Sequence, residues 1–150
     1  MSSALPTVPQ YLFGVAEPAV LILAFVVTSL LPEYYVSSQS KFASPRSLLP
    51  TEQIGIYQIS NLFLLVAVLS LNVLNSTNDV KVARAFLTAL WWGDLGHLGV
   101  TMWCLGWETL RHIGSWSLVV WGNIGIPTFL FTMRTLYFLG VFGSDVNAKY

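Results

Sequence analysis

Hydrophobic residues fall into four long runs that are separated by short polar segments. The runs cover about residues 10–31, 54–74, 82–106 and 116–142. Each is close to the roughly 20 residues that an α-helix needs to cross about 30 Å of hydrocarbon. The pattern therefore predicts an all-α fold, an integral membrane four-helix bundle in which residues 1–150 form a single four-span domain.

Polar and proline-containing segments predict where these helices begin and end. Pro32 follows the first run and cannot continue its helix, and the Ser-rich stretch 36–53 forms a long connection to the second run. Between the second and third runs, Asn78 or Asp79 is the expected N-cap of the third helix, and Ser115 is the expected N-cap of the fourth. Because few residues separate the second and third helices, they should form an antiparallel hairpin.

The composition is that of a membrane protein. Of the 150 residues, 55% are hydrophobic and 9% are charged, against roughly 25% charged in a soluble domain. Seven basic and seven acidic residues cancel, so nucleic acid is not an expected partner. The apolar runs make membrane lipid an expected partner. The positive-inside rule gives no orientation, because three basic residues flank each membrane face: Lys81, Arg84 and Lys149 on one, and Lys41, Arg46 and Arg111 on the other.

The third run contains polar residues at a helical spacing, within and beyond the segment WWGDLGHLGV. Asp94 and His97 are one turn apart, so the carboxylate is expected to orient the imidazole or to share a proton with it. Thr101, Cys104 and Glu108 continue the same face. The alternative is a neutral Asp94–His97 pair that only holds helices together.

Charged residues also interrupt the first and fourth runs. Glu17 directly precedes Pro18, which removes a backbone donor from the helix, and a carboxyl group at such a break is a candidate acid or base. The alternative is a glutamate near the lipid headgroups. Arg134 is a candidate counter-ion for Glu17, Asp94 or an anionic substrate group, and its alternative role is to reach the headgroups with its long side chain.

Amides and tryptophans complete the candidate site. Asn61 and Asn123 are expected to hold water or substrate oxygens, and Trp91 and Trp103 are expected to line an aromatic-walled pocket, with core packing as the alternative. The scattered His, Cys and carboxylate residues do not have metal-ligand spacing, and no glycine-rich phosphate loop follows a strand. No metal and no cofactor are therefore expected.

At these positions the sequence resembles a family of small four-span fungal membrane proteins of largely unknown function. Some members lie in gene clusters for polyketide or terpenoid products. The resemblance covers nearly the whole chain and rests on Glu17-Pro18, Asn61-Leu62, Asp94-Leu95-Gly96-His97 with Gly106-Trp107, and Trp121-Gly122-Asn123 with Arg134. The chain is more distantly similar in architecture to the sterol-isomerase/emopamil-binding superfamily. Because Asp94 precedes His97 here, instead of a His followed by a Glu, residue roles are not transferred from that superfamily.

The resemblance implies a lipophilic substrate, and the polar residues suggest proton transfer. The leading interpretation is a cofactor-independent membrane acid–base enzyme that opens an epoxide on a polyketide or terpenoid by hydrolysis or cyclisation. Glu17, Asp94 and His97 are its candidate catalytic groups. The alternatives are a double-bond isomerase of a sterol-like or terpenoid substrate and a non-catalytic protein that binds or transports a lipophilic ligand. The resemblance implies the endoplasmic reticulum membrane, and a homo-oligomer is left open.

Overall fold

The computed structural model describes residues 4–39 and 46–143, and within them the fold is all-helical without a strand. Four long helices follow the four apolar runs, and a short helix lies after the first. The helices are α1 (Thr7–Leu30), α2 (Pro32–Ser37), α3 (Pro50–Ser76), α4 (Val80–Arg111) and α5 (Leu118–Phe138).

A π-helical turn interrupts α1 at Leu12–Ala16, directly before Glu17 and Pro18. Pro18 has no N–H to give to the carbonyl of Gly14, four residues earlier. The side chain of Asn75, at the end of α3, donates to that carbonyl instead, over 3.0 Å. The carbonyl that Pro18 leaves without a donor in its own helix is thus hydrogen-bonded by a side chain of a neighbouring helix.

The long helices form two antiparallel pairs. Helix α3 packs chiefly against α1, where Ser29 and Ser60 share a hydrogen bond of 2.6 Å between their hydroxyl groups, and α4 packs chiefly against α5. The pairs meet at both ends of the bundle. At one end they share a core of Ala4, Leu5, Phe13, Leu74, Ala83, Leu87, Leu130 and Tyr137. At the other end the Tyr35 hydroxyl donates to Asn123 Oδ1 over 3.0 Å.

The helix caps confirm one prediction and correct another. Asp79 caps α4, since its carboxylate accepts from the backbone N–H of Lys81 over 2.7 Å. The expected cap of α5 at Ser115 is wrong. Ser115 lies in a 3₁₀ turn and donates to the His112 carbonyl, so the chain continues to Ser117, whose hydroxyl accepts from Val120 N–H over 3.1 Å.

Helix α4 changes direction near its end. Gly106 has φ +72°, a left-handed conformation that only glycine adopts without strain. The polar face predicted from Asp94 to Glu108 therefore does not continue through this point, and Glu108 is exposed beyond it.

Two of the described helices, Thr7–Leu30 and Pro50–Ser76, are long and apolar enough to cross a membrane. Helices α4 and α5 have the length but are less apolar. The expectation of balanced basic residues on two membrane faces involves Lys41 and Lys149, which lie outside the described residues.

Candidate functional site

A buried arginine joins three helices in the interior of the bundle. Arg134 of α5 donates from Nη2 to Glu17 Oε1 of α1 and from Nη1 to Asp94 Oδ2 of α4. Its guanidinium also lies over the Phe13 ring, 5.1 Å from the ring centroid. We call Glu17, Asp94 and Arg134 the carboxylate–arginine cluster.

The cluster is largely closed to the surroundings, although its two carboxyl groups differ. The side chain of Arg134 is 0% exposed and that of Glu17 is 5% exposed, whereas Asp94 keeps 15% exposure. Arg134 therefore does not extend to a headgroup region, which was the alternative role for this residue. Asp94 is the carboxyl group that a ligand reaches more easily.

Two polar atoms of the cluster are buried without a hydrogen-bond partner in the described part of the chain, Glu17 Oε2 and Arg134 Nε. If both carboxyl groups are ionised, the cluster has one more negative than positive charge. A net charge is costly in an apolar interior, whereas one proton on either carboxyl group makes the cluster neutral. With two carboxyl groups and one guanidinium, the cluster is therefore suited to hold and release one proton.

His97 has a different partner from the one that the sequence predicted. Its Nε2 lies 3.0 Å from the backbone carbonyl of Asn123 on α5, while Asp94 is bound by Arg134. The spacing along one helix suggested the Asp94–His97 bond, but a contact between helices takes precedence over it. His97 still lies one helical turn from Asp94 along α4.

The two candidate amides are in different places. Asn123 accepts from Tyr35 with its side chain and from His97 with its carbonyl, so it connects α2, α4 and α5. Burial raises the pKa of the Tyr35 phenol, which keeps this residue a neutral donor. Asn61 is exposed and outside the cluster, because the buried face of α3 includes Ser60 and Ala67 instead.

The tryptophans do not form one pocket wall. Trp91 donates from its indole N–H to Thr135 over 2.9 Å and stacks on Phe131, so it packs α4 against α5. Trp103 is 88% exposed. The two residues are 12 positions apart, which on a helix turns their side chains about 120° away from each other.

Sequence reasoning did not identify Asn75 as a residue that positions this site. Asn75 stood at the end of an apolar run and resembled part of a turn, yet it satisfies the Gly14 carbonyl and accepts from Gln10 Nε2 over 2.9 Å. The available signal was Pro18, because a proline inside a helix requires a donor from elsewhere. In the described residues no group of three or more His, Cys, Asp or Glu side chains is arranged to hold a metal ion.

One family model matches residues 2–144, and it is described as a domain of unknown function, DUF7704. The chain belongs to this family. The DUF7704 region contains all four long helices and every candidate site residue. No curated protein and no solved structure matches the chain.

Proposed function

We propose that this protein is a four-span integral membrane enzyme that opens an epoxide on a lipophilic polyketide or terpenoid by acid–base chemistry without a cofactor. The observation that carries the proposal is the carboxylate–arginine cluster, which gathers two carboxyl groups and one guanidinium from three helices. The substrate class and the endoplasmic reticulum location come from the resemblance to fungal biosynthetic membrane proteins.

Exposed apolar surface supports the membrane part of the proposal. Large apolar side chains face outward on every long helix, among them Leu30, Leu62, Val100 and Leu118. A soluble monomer rarely exposes so much contiguous apolar surface, whereas lipid covers it without cost. The two helices that are long and apolar enough to span a bilayer belong to the same pair, α1 and α3. The proposal adds α4 and α5 as the third and fourth spans.

Charge balance supports the acid–base part. One carboxylate neutralises Arg134, so a purely structural ion pair needs only one acidic residue. The second carboxyl group adds a buried charge or a buried proton, and buried ionisable groups in membrane segments commonly mark sites of proton transfer. Asp94 contacts the substrate, because it is the more exposed carboxyl group, while Glu17 stays behind Arg134 and adjusts the charge of the cluster.

The proposed reaction has one proton donor and one proton acceptor. The protonated carboxyl group of Asp94 gives its proton to the epoxide oxygen as a carbon–oxygen bond of the ring breaks. A water molecule or a hydroxyl group of the substrate forms the new carbon–oxygen bond and gives its proton to a base. With water the product gains one water molecule, and with an internal hydroxyl the product is an isomer of the substrate.

The test is conversion of a panel of lipophilic epoxides, including an epoxyfarnesol, by membranes that contain the wild-type protein, in ordinary and ¹⁸O-labelled water. Mass spectrometry of a labelled diol would support hydrolysis, and an unlabelled isomer would support cyclisation. Membranes that lack the protein are the control. Conversion of no member of the panel would reject epoxide opening, and conversion of alkenes alone would favour a double-bond isomerase.

A further inference from the structure

Pro18 and Pro127 lie beyond the first turn of their long helices, and the carbonyl that each one frees has a partner on another helix. Pro18 frees the carbonyl of Gly14, which accepts from Asn75. Pro127 frees the carbonyl of Asn123, four residues earlier, and His97 Nε2 lies 3.0 Å from that oxygen. His97 therefore has the same relation to Pro127 that Asn75 has to Pro18.

The partner of His97 determines which ring nitrogen bears the hydrogen. A carbonyl oxygen only accepts hydrogen bonds, so Nε2 must be protonated to bind it. In a neutral imidazole Nδ1 is then unprotonated and is an acceptor. In the described part of the chain Nδ1 of His97 has no hydrogen-bond partner, and the residue is exposed.

We propose that the carbonyl freed by Pro127 fixes His97 as the Nε2–H tautomer, and that its Nδ1 is the base that deprotonates the nucleophile. The second part rests on the proposed function. Glu17 is a poor choice for the base, because its side chain is buried behind Arg134, whereas His97 is exposed and lies one helical turn from Asp94.

The proton balance closes over one reaction. Asp94 loses a proton to the epoxide oxygen, and His97 Nδ1 gains one from water or from the substrate hydroxyl. The imidazolium then returns its extra proton to the Asp94 carboxylate, so both groups regain their starting state. The Nε2–H bond to Asn123 is unchanged throughout, which keeps the ring oriented.

His112 provides an internal control for the tautomer. Its Nδ1 lies 2.9 Å from the backbone carbonyl of Glu108, so the same reasoning gives His112 the opposite tautomer, with the hydrogen on Nδ1. The chain contains two histidines, and a His112→Gln variant assigns their signals.

The first test is ¹⁵N NMR of the full chain in detergent micelles with ¹⁵N-labelled histidine. We expect a protonated Nε2 and an unprotonated Nδ1 for His97, and the reverse for His112. A hydrogen on Nδ1 of His97, alone or together with one on Nε2, would overturn the tautomer assignment. In Pro127→Ala the new N–H of residue 127 competes for the Asn123 carbonyl, so His97 should become a mixture of tautomers, and an unchanged spectrum would reject the positioning role of Pro127.

The second test separates the base from the fold. In His97→Gln the amide still donates to the Asn123 carbonyl but Nδ1 is lost, so kcat for epoxide opening should fall by about 100-fold or more with little change in KM and an unchanged unfolding midpoint. His112→Gln should retain wild-type kcat. Unchanged kcat in His97→Gln would reject the role of Nδ1 as the base, without affecting the tautomer assignment. If the wild-type protein itself converts no epoxide, the proposed function is rejected. The tautomer assignment by NMR does not depend on activity and would still be tested.

Discussion

Arg134 of α5 connects three helices in the interior of this protein, because its guanidinium donates to Glu17 on α1 and to Asp94 on α4. The sequence revealed Glu17, Asp94 and Arg134 as charged residues in apolar runs, and a counter-ion role for Arg134 was one of its predictions. The sequence could not reveal the partner of His97. The spacing along α4 predicted a bond to Asp94, whereas the partner of His97 is the Asn123 carbonyl on α5. The hydrophobic pattern of each helix does not show how two helices are rotated relative to each other.

At the residue scale, Arg134→Met should destabilise the protein strongly. The change leaves two buried carboxyl groups facing an apolar side chain, and breaking a buried ion pair in this way costs about 3–5 kcal/mol. Denaturant unfolding in detergent, followed by circular dichroism, measures the difference. Arg46→Met is the control, because Arg46 pairs with Glu52 in an exposed position over 2.5 Å and its loss should change stability little. Equal stability of the two variants would argue against the buried cluster.

At the element scale, Pro18 and Pro127, which lie beyond the first turn of their helices, are each matched by a polar side chain on a neighbouring helix. The sequence predicted the four long helices to within a few residues, because apolar runs and prolines report directly on helix length. It did not predict the left-handed Gly106 or the cap at Ser117. Both depend on how the chain packs after α4, and a short polar segment is compatible with several turn conformations.

Asn75→Leu tests this matching of prolines and donors. The variant leaves the Gly14 carbonyl without its donor in a part-buried position, which should cost about 1–3 kcal/mol. Asn72→Leu is the matched control on the same helix, because Asn72 donates only to the Val68 carbonyl of its own helix and is exposed. Unfolding midpoints of the two variants give the comparison, and an equal effect of both changes would contradict the role of Asn75.

At the scale of the whole molecule, two antiparallel helix pairs enclose the cluster between them. The up-and-down order followed from four apolar runs, of which the second, third and fourth are joined by short connections and the first by a longer one, so this part of the architecture was predictable. The sequence predicted a hairpin of α3 and α4 from the short turn between them, but these two helices pack on each other far less than each packs on its partner in the other direction. A short connection sets the order of two helices along the chain and does not determine which apolar faces pack together. The contacts of Ser60 with Ser29 and of Trp91 with Thr135 show that α3 pairs with α1 and α4 with α5.

A cysteine-labelling experiment tests the four-span arrangement. In a Cys104→Ser background, Ser76→Cys lies at the end of α3 and Gly114→Cys lies in the turn before α5, at opposite ends of the bundle. In sealed vesicles of one orientation, a membrane-impermeant maleimide should label one variant and not the other. Detergent permeabilisation should make both react. Labelling of both before permeabilisation would contradict the proposed topology.

The most direct measurement is the rate of epoxide opening by Asp94→Asn, compared with wild type at equal amounts of folded protein. The asparagine has nearly the same size but cannot give a proton to the epoxide oxygen, while Glu17 still neutralises Arg134. We therefore expect the rate to fall by about 100-fold or more. Size-exclusion profiles and unfolding midpoints show how much of the variant is folded. A rate equal to that of wild type would mean that the carboxylate–arginine cluster only holds the helices together.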